Sequence, residues 1–202
     1  MSMNEVFVRN YDAPPVRREE ILRYAGVRRT SVELMPLLEE CIAEAEDVLT
    51  YAICYAEFSI ARSENSLDLG FMVTASRDLQ KNLAECSSGI VFAATVGLGI
   101  DRLIARYASI SPTKSLLFQA IGAERIESLC DVFCRELAEE QKDVRLHPRF
   151  SPGYGDLPLE HQKEIFARLD CARKIGLSLN QSLLLSPTKS VTALIGRESR
   201  EQ

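Results

Sequence analysis

The chain has 202 residues, 46% of them hydrophobic and 26% charged, and carries a formal net charge of −5. That length and apolar content suffice for one compact domain with a buried core and exclude a disordered chain. The acidic balance excludes a dedicated nucleic-acid binder, which needs clustered Lys and Arg, and no apolar run approaches the roughly 18 to 20 residues of a membrane span. The start, Met1-Ser2-Met3-Asn4-Glu5, lacks the basic stretch and apolar core of a secretory leader, so a cytoplasmic location is expected.

In chain order, Asn4 to Val8 suggests a short strand. A linker with Pro14-Pro15 follows, then a small helix from Arg17 to Tyr24 that stops at Gly26. Residues 1–29 thus read as an arm that packs either on the body or on a partner. Thr30 or Ser31 can cap a helix running to about Asp47, with Leu34, Leu38, Cys41, Ile42 and Ala45 on its buried face. Leu49 to Ile60 is rich in aromatic and β-branched residues, and Leu67, Leu69, Phe71 and Val73 alternate on one face. Two strands are expected there, antiparallel to each other. Ser76 can cap a helix through Leu79, Leu83 and Cys86, and the continuously apolar run Gly89 to Val96 predicts a fully buried strand at the centre of the sheet.

Gly97-Leu98-Gly99 turns into a helix with Ile100, Leu103, Ile104 and Tyr107 on one face, and Ser111-Pro112 opens a long helix to about Glu140. A further helix is predicted from Leu159 or Glu160 to Ile175, ended by Gly176. Ser182 to Leu185 and Ser190 to Ile195 read as two short strands around the turn Ser186-Pro187-Thr188-Lys189, and the charged end from Arg197 should fray. The order of elements is neither strictly alternating nor segregated, which points to an α+β or mixed α/β fold. The main domain is set at residues 30–197 and the tail at 198–202. Ser-Pro-Thr-Lys-Ser occurs at both 111–115 and 186–190, but the flanks differ in type and no repeat unit is inferred.

Four features bear on chemistry. Arg149-Phe150-Ser151-Pro152-Gly153-Tyr154 places a guanidinium, a flexible backbone position and an aromatic ring within six residues. Such loops hold small ligands, and they also occur where nothing binds. Gly97-x-Gly99 invites a phosphate at the following helix, as in a Rossmann-type methyltransferase. The third glycine of that fingerprint is Arg102 and the acidic residue some 20 positions on is missing, so a structural turn is the better reading. His147, between Asp143, Arg145 and Arg149, is read as a surface residue rather than a ligand. The six cysteines lack disulfide or zinc spacing, and Cys130 with Cys134 does not complete a tetrahedral site, so reduced thiols and no metal are expected.

The C-terminal third, with its R-x-x-x-G-Y loop, a helix ending in Ile175-Gly176-Leu177-Ser178-Leu179 and the turn Ser186-Pro187-x-x-Ser190-Val191, resembles the activation (reactivation) domain of cobalamin-dependent methionine synthase in a stand-alone form. The turn at 97–101 and the helix after Pro112 extend the resemblance over residues 30 to 197. It implies a central, mostly antiparallel twisted sheet flanked by helices. It also implies an S-adenosylmethionine site in which Arg149 meets the carboxylate, Tyr154 the cationic methionyl part and Gly153 allows close backbone approach, with Phe150 and Ser151 between them. Asp143 would stand for a family Glu toward the ammonium, whereas Ala193-Leu194-Ile195 replace a stretch that supplies a tyrosine. No residue of the chain is expected to act as a catalytic acid or base. Cobalamin would come on a partner, a separate methionine synthase or related corrinoid protein, with a flavodoxin-type electron donor, and no nucleic-acid or membrane partner is expected. The alternative is an interaction module that keeps the fold and has lost the ligand.

Overall fold

The computed structural model describes residues 5–28 and 34–200. The elements are β1 (Phe7–Tyr11), α1 (Arg18–Tyr24), α2 (Leu34–Glu46), β2 (Tyr51–Ser59), β3 (Ala61–Arg62), β4 (Leu67–Asp68), β5 (Val73–Thr74), α3 (Arg77–Asn82), β6 (Ser88–Thr95), α4 (Gly99–Tyr107) and α5 (Pro112–Glu140). After these come β7 (Val144–Leu146), a 3₁₀ turn (Leu159–His161), α6 (Gln162–Leu169), α7 (Cys171–Ile175), β8 (Ser178–Leu179), β9 (Leu185–Ser186) and β10 (Ser190–Ser199). The fold is mixed α/β. Its main sheet has the order β1-β2-β6-β10-β7 with every neighbour antiparallel, flanked by helices.

β6 lies at the sheet centre and is buried on both faces, which is why its sequence is apolar without alternation. Its residues divide between two cores. Ile90, Phe92 and Ala94 join Ile53, Ala193 and Ile195 under α1, α2, α4 and α5. Val91 and Ala93 join Cys54, Ala56, Phe58 and Leu194 under α3, α6, α7 and the short strands. Phe92 and Phe133 pack in the first core with ring centroids 5.0 Å apart. Lys189, just before β10, packs so closely on α5 that a Cβ at Gly122 would lie 2.8 Å from its Cγ. Among the described residues no helix is long and apolar enough to cross a membrane.

Several expected boundaries move. The first strand is Phe7–Tyr11 rather than 4–8; it pairs with β2, and α1 packs on α5, so this segment lies on the body. The expected caps Thr30 and Ser31 fall outside the described residues. Residues 67–73 are not one strand, and the neighbours of β2 are β1 and β6. Gly70, with φ +79°, turns the chain, its N–H donates to Asp68 Oδ1 at 2.8 Å, and the Leu69 N–H reaches the Met72 carbonyl at 2.9 Å. Leu67 and Leu69 are therefore buried while Val73 is 60% exposed. The helix expected from 159 to 175 is broken at Asp170, which is left-handed (φ 51°) and takes the Arg173 guanidinium on its carboxylate. The strand expected at 182–185 is only Leu185–Ser186, paired with β8. The expected fraying from Arg197 is corrected too, because Arg197, Glu198 and Ser199 pair with Leu146, Arg145 and Val144.

Candidate functional site

The site forms where the chain leaves β7 and runs along the edge of β10. The His147 N–H donates to the Gly196 carbonyl at 2.9 Å, and Phe150 exchanges both backbone hydrogen bonds with Leu194, at 2.9 and 2.8 Å. Side chains alternate along such an extended run. Phe150 packs toward the core under α6, while Arg149 turns toward α5. There Arg149 Nη2 donates to Glu127 Oε2 at 3.0 Å and to Asp131 Oδ1 at 3.1 Å. Burial alone would favour a neutral Arg149. The carboxylates of Glu127 and Asp131 outweigh it, so the guanidinium is held charged more firmly than usual. The Cys130 thiol behind it is pushed up to about 12 by burial and stays protonated.

The loop beyond is fixed by its own backbone. The Tyr154 N–H donates to the Ser151 carbonyl, the Leu157 N–H to the Tyr154 carbonyl, and the Gly153 N–H to the Leu157 carbonyl, at 3.0, 3.0 and 2.9 Å. Gly153 has φ +91°, a conformation that suits glycine, and a Cβ there would press on Leu159 Cδ1 at 3.3 Å. Asp156 closes the loop onto α3. It accepts from the Ser76 hydroxyl, from the Arg77 N–H at 2.8 Å and from the Asp78 N–H at 3.2 Å, while Ser76 itself caps the Leu79 N–H at 3.0 Å. These donors, the Ser76 hydroxyl foremost, hold the Asp156 carboxyl below the usual range.

Glu127, Arg149, Ser151, Tyr154, Val191 and Ala193 surround a cleft of about 120 Å³. Tyr154 is 59% exposed and stands edge-on to Phe150, with ring centroids 6.2 Å apart. The cleft is smaller than the roughly 300 to 1,000 Å³ of whole-ligand pockets, so it fits a head group rather than an entire nucleoside. A second hollow of about 520 Å³ lies beyond Arg149, floored by Cys134, Ala138, Leu146 and Ile195.

Of the residues expected from sequence, Arg149, Ser151 and Tyr154 line the cleft, Phe150 supports the tyrosine ring and Gly153 shapes the turn. Asp143 does not join them. It lies level with Arg200, whose N–H meets its carbonyl, whereas Phe150 lies level with Leu194. Six residues of extended chain put those positions roughly 20 Å apart. The carboxylates at Arg149 are instead Glu127 and Asp131 of α5, which the sequence alone does not single out. Their i, i+4 spacing, with Glu124 three residues before Glu127, was the available signal. Ala193 stands on the cleft wall where the resemblance led one to look for a tyrosine nearby, leaving that wall open.

The other candidates serve structure. His147 bridges the end of α3 to β10, with Nδ1 2.6 Å from the Asn82 carbonyl and Nε2 2.8 Å from Glu198. At the Gly97-x-Gly99 turn a Cβ on Gly99 would lie 2.7 Å from Val48 Cβ, so the start of α4 is packed against the chain itself. The antiparallel order of the main sheet, with no parallel crossover among the described residues, excludes a Rossmann arrangement.

No family model matches the sequence, and no curated protein matches it. Among solved structures, the chain is similar to one described as the crystal structure of the MetH reactivation domain bound to AdoHcy, with a TM-score of 0.68 at 14% identity. The match covers 100% of this chain and 81% of that one. At that identity the likeness is one of architecture, and it extends from the first strand to the last: the chain has the fold of a MetH reactivation domain.

Proposed function

We propose that this chain binds S-adenosylmethionine with its amino-acid head in the cleft between α5 and the 149–154 loop. The observation that carries this reading is the Arg149–Glu127 pair at 3.0 Å beside the exposed Tyr154 ring. A zwitterionic head needs a cation for its carboxylate and an anion for its ammonium, and this pair offers both. Both Nη2 hydrogens of Arg149 go to Glu127 and Asp131. A ligand carboxylate is therefore met by the remaining donors of the fork, or displaces one acid as Glu127 swings to the ammonium. The electron-rich face of Tyr154 suits a sulfonium. The adenosine extends beyond the small cleft across the protein surface. AdoHcy bound to a protein of the same fold supports a ligand of this family.

On this reading the chain is a cytoplasmic reactivation module. The corrinoid, carried by a separate cobalamin-dependent methionine synthase or related corrinoid protein, accepts the methyl group, with an electron from a flavodoxin-type protein. What the chain contributes is position. Losing a methyl group turns a sulfonium into a neutral thioether without moving a proton, so the transfer requires no acid or base from the cleft.

Calorimetric titration with S-adenosylmethionine tests the site. Arg149→Ala should weaken binding by about 1.5 to 3 kcal/mol, the range for a hydrogen bond to a charged group, with the fold intact. Equal affinity in that variant would remove Arg149 from the site. No binding by the intact chain would favour the second reading, an interaction module that has lost its ligand, toward which the open wall at Ala193 points.

A further inference from the structure

The cleft and the N-terminal segment share one carboxylate. Asp131 accepts from Arg149 Nη2 at Oδ1 (3.1 Å) and from Arg17 Nη1 at Oδ2 (3.0 Å). Arg17 also donates to Glu124 Oε1, through Nε at 3.2 Å and its backbone N–H at 3.3 Å. Glu124 is fully buried, and it accepts further from the Ser128 hydroxyl at 2.5 Å and from Arg125 Nε at 2.6 Å. Arg125, equally buried, donates to the Pro14 and Pro15 carbonyls at 2.5 and 2.8 Å. Charges thus alternate without a break from the two prolines to the cleft, in the order Arg125, Glu124, Arg17, Asp131, Arg149, Glu127.

The two ends of this series differ in strength. Glu124 and Arg125 are desolvated and fully hydrogen-bonded, so neither can lose its partner cheaply. Asp131 and Glu127 have side chains 47% and 37% exposed, and exposed pairs orient a long side chain only weakly. Arg149 needs a firm acceptor to present its fork in one direction. Asp131 is linked to the buried end by Arg17, whose side chain, itself 44% exposed, holds the buried Glu124 and Asp131 together.

Resting on the reading of the cleft as an S-adenosylmethionine site, we propose that Asp131 is a positioning residue that sets the Arg149 guanidinium for the ligand carboxylate and, through Arg17, couples the cleft to the N-terminal segment. Asp131→Asn and Arg17→Gln are titrated beside the intact chain with S-adenosylmethionine and with decarboxylated S-adenosylmethionine, which keeps the sulfonium and adenosine and lacks the carboxylate. Asp131→Asn weakens the first about tenfold and the second less than about twofold, as expected for neighbouring groups that act as a unit. Arg17→Gln shows the same pattern at smaller size. Equal losses for both ligands, or none for either, overturn the proposal.

Amide hydrogen exchange of the ligand-free chain gives an independent reading. Asp131→Asn speeds exchange in residues 17–24 and in residues 149–157 together; acceleration in only one segment, or in neither, overturns the coupling even if S-adenosylmethionine binds. If both segments loosen while the intact chain fails to bind S-adenosylmethionine, the coupling holds and it is the ligand reading that falls.

Discussion

The two faces of the sheet are covered by different kinds of element. One carries α1, α2, α4 and the 29-residue α5. The other carries α3, α6, α7 and two-residue strands, and its longest helix, α6, has 8 residues. The cleft lies at the seam, with Glu127 supplied by the long helix and Ser151 and Tyr154 by the loop. The difference separates two tasks: the long helix fixes where the charge sits, and the short elements fix the contour of the wall opposite it.

The sharpest way to break this comparison is to weaken each face in turn. Phe133→Ala empties the core between α5 and β6 and should cost about 3 to 5 kcal/mol in denaturant unfolding. Leu69→Ala on the opposite face should cost less, about 2 to 4 kcal/mol, because a smaller side chain is removed. Equal losses would mean that the short elements pack as tightly as the long helices.

A pH titration sharpens the comparison further. The Asp156 carboxyl is held below its ordinary value, by the Ser76 hydroxyl first and then by the Arg77 N–H. Its contribution is therefore full above the unfolded pKa, about 4, and is lost as pH falls through the lower folded value. The urea midpoint of Asp156→Asn should lie below that of the intact chain at pH 7 and converge on it as pH drops below about 4. A constant gap down to pH 2 would refute the assignment. The smallest effect is expected for Val73→Thr, within about 0.5 kcal/mol, because its side chain is largely in water. A large loss there would restore the single strand that the alternation of residues 67 to 73 suggested.

Sequence legibility follows the same division. α5 announced itself through Ser111-Pro112 and its apolar repeat, and β6 through an unbroken apolar run, because both obey one periodicity over many residues. The short elements depend on single contacts. Nothing in the order of residues told that Asp68 would close a turn at Gly70, that Asp170 would interrupt a helix, or that three residues of β7 would pair with what looked like a frayed end. Arg149 and Tyr154 were legible as residue types in an unusual loop. Glu127 and Asp131 were not, because an acid on a helix face looks the same facing water as facing an arginine.

Gly122 gives the packing of Lys189 on α5 a consequence for the cleft. A glycine in a helix interior costs roughly 1 kcal/mol relative to alanine, yet any Cβ there would run into Lys189. Glu127 stands on α5 and Val191 and Ala193 on β10, so the distance between those two elements is the calibre of the cleft. A side chain at 122 would have to displace the Lys189 stem, and Lys189 leads directly through Ser190 into the Val191 wall of the cleft.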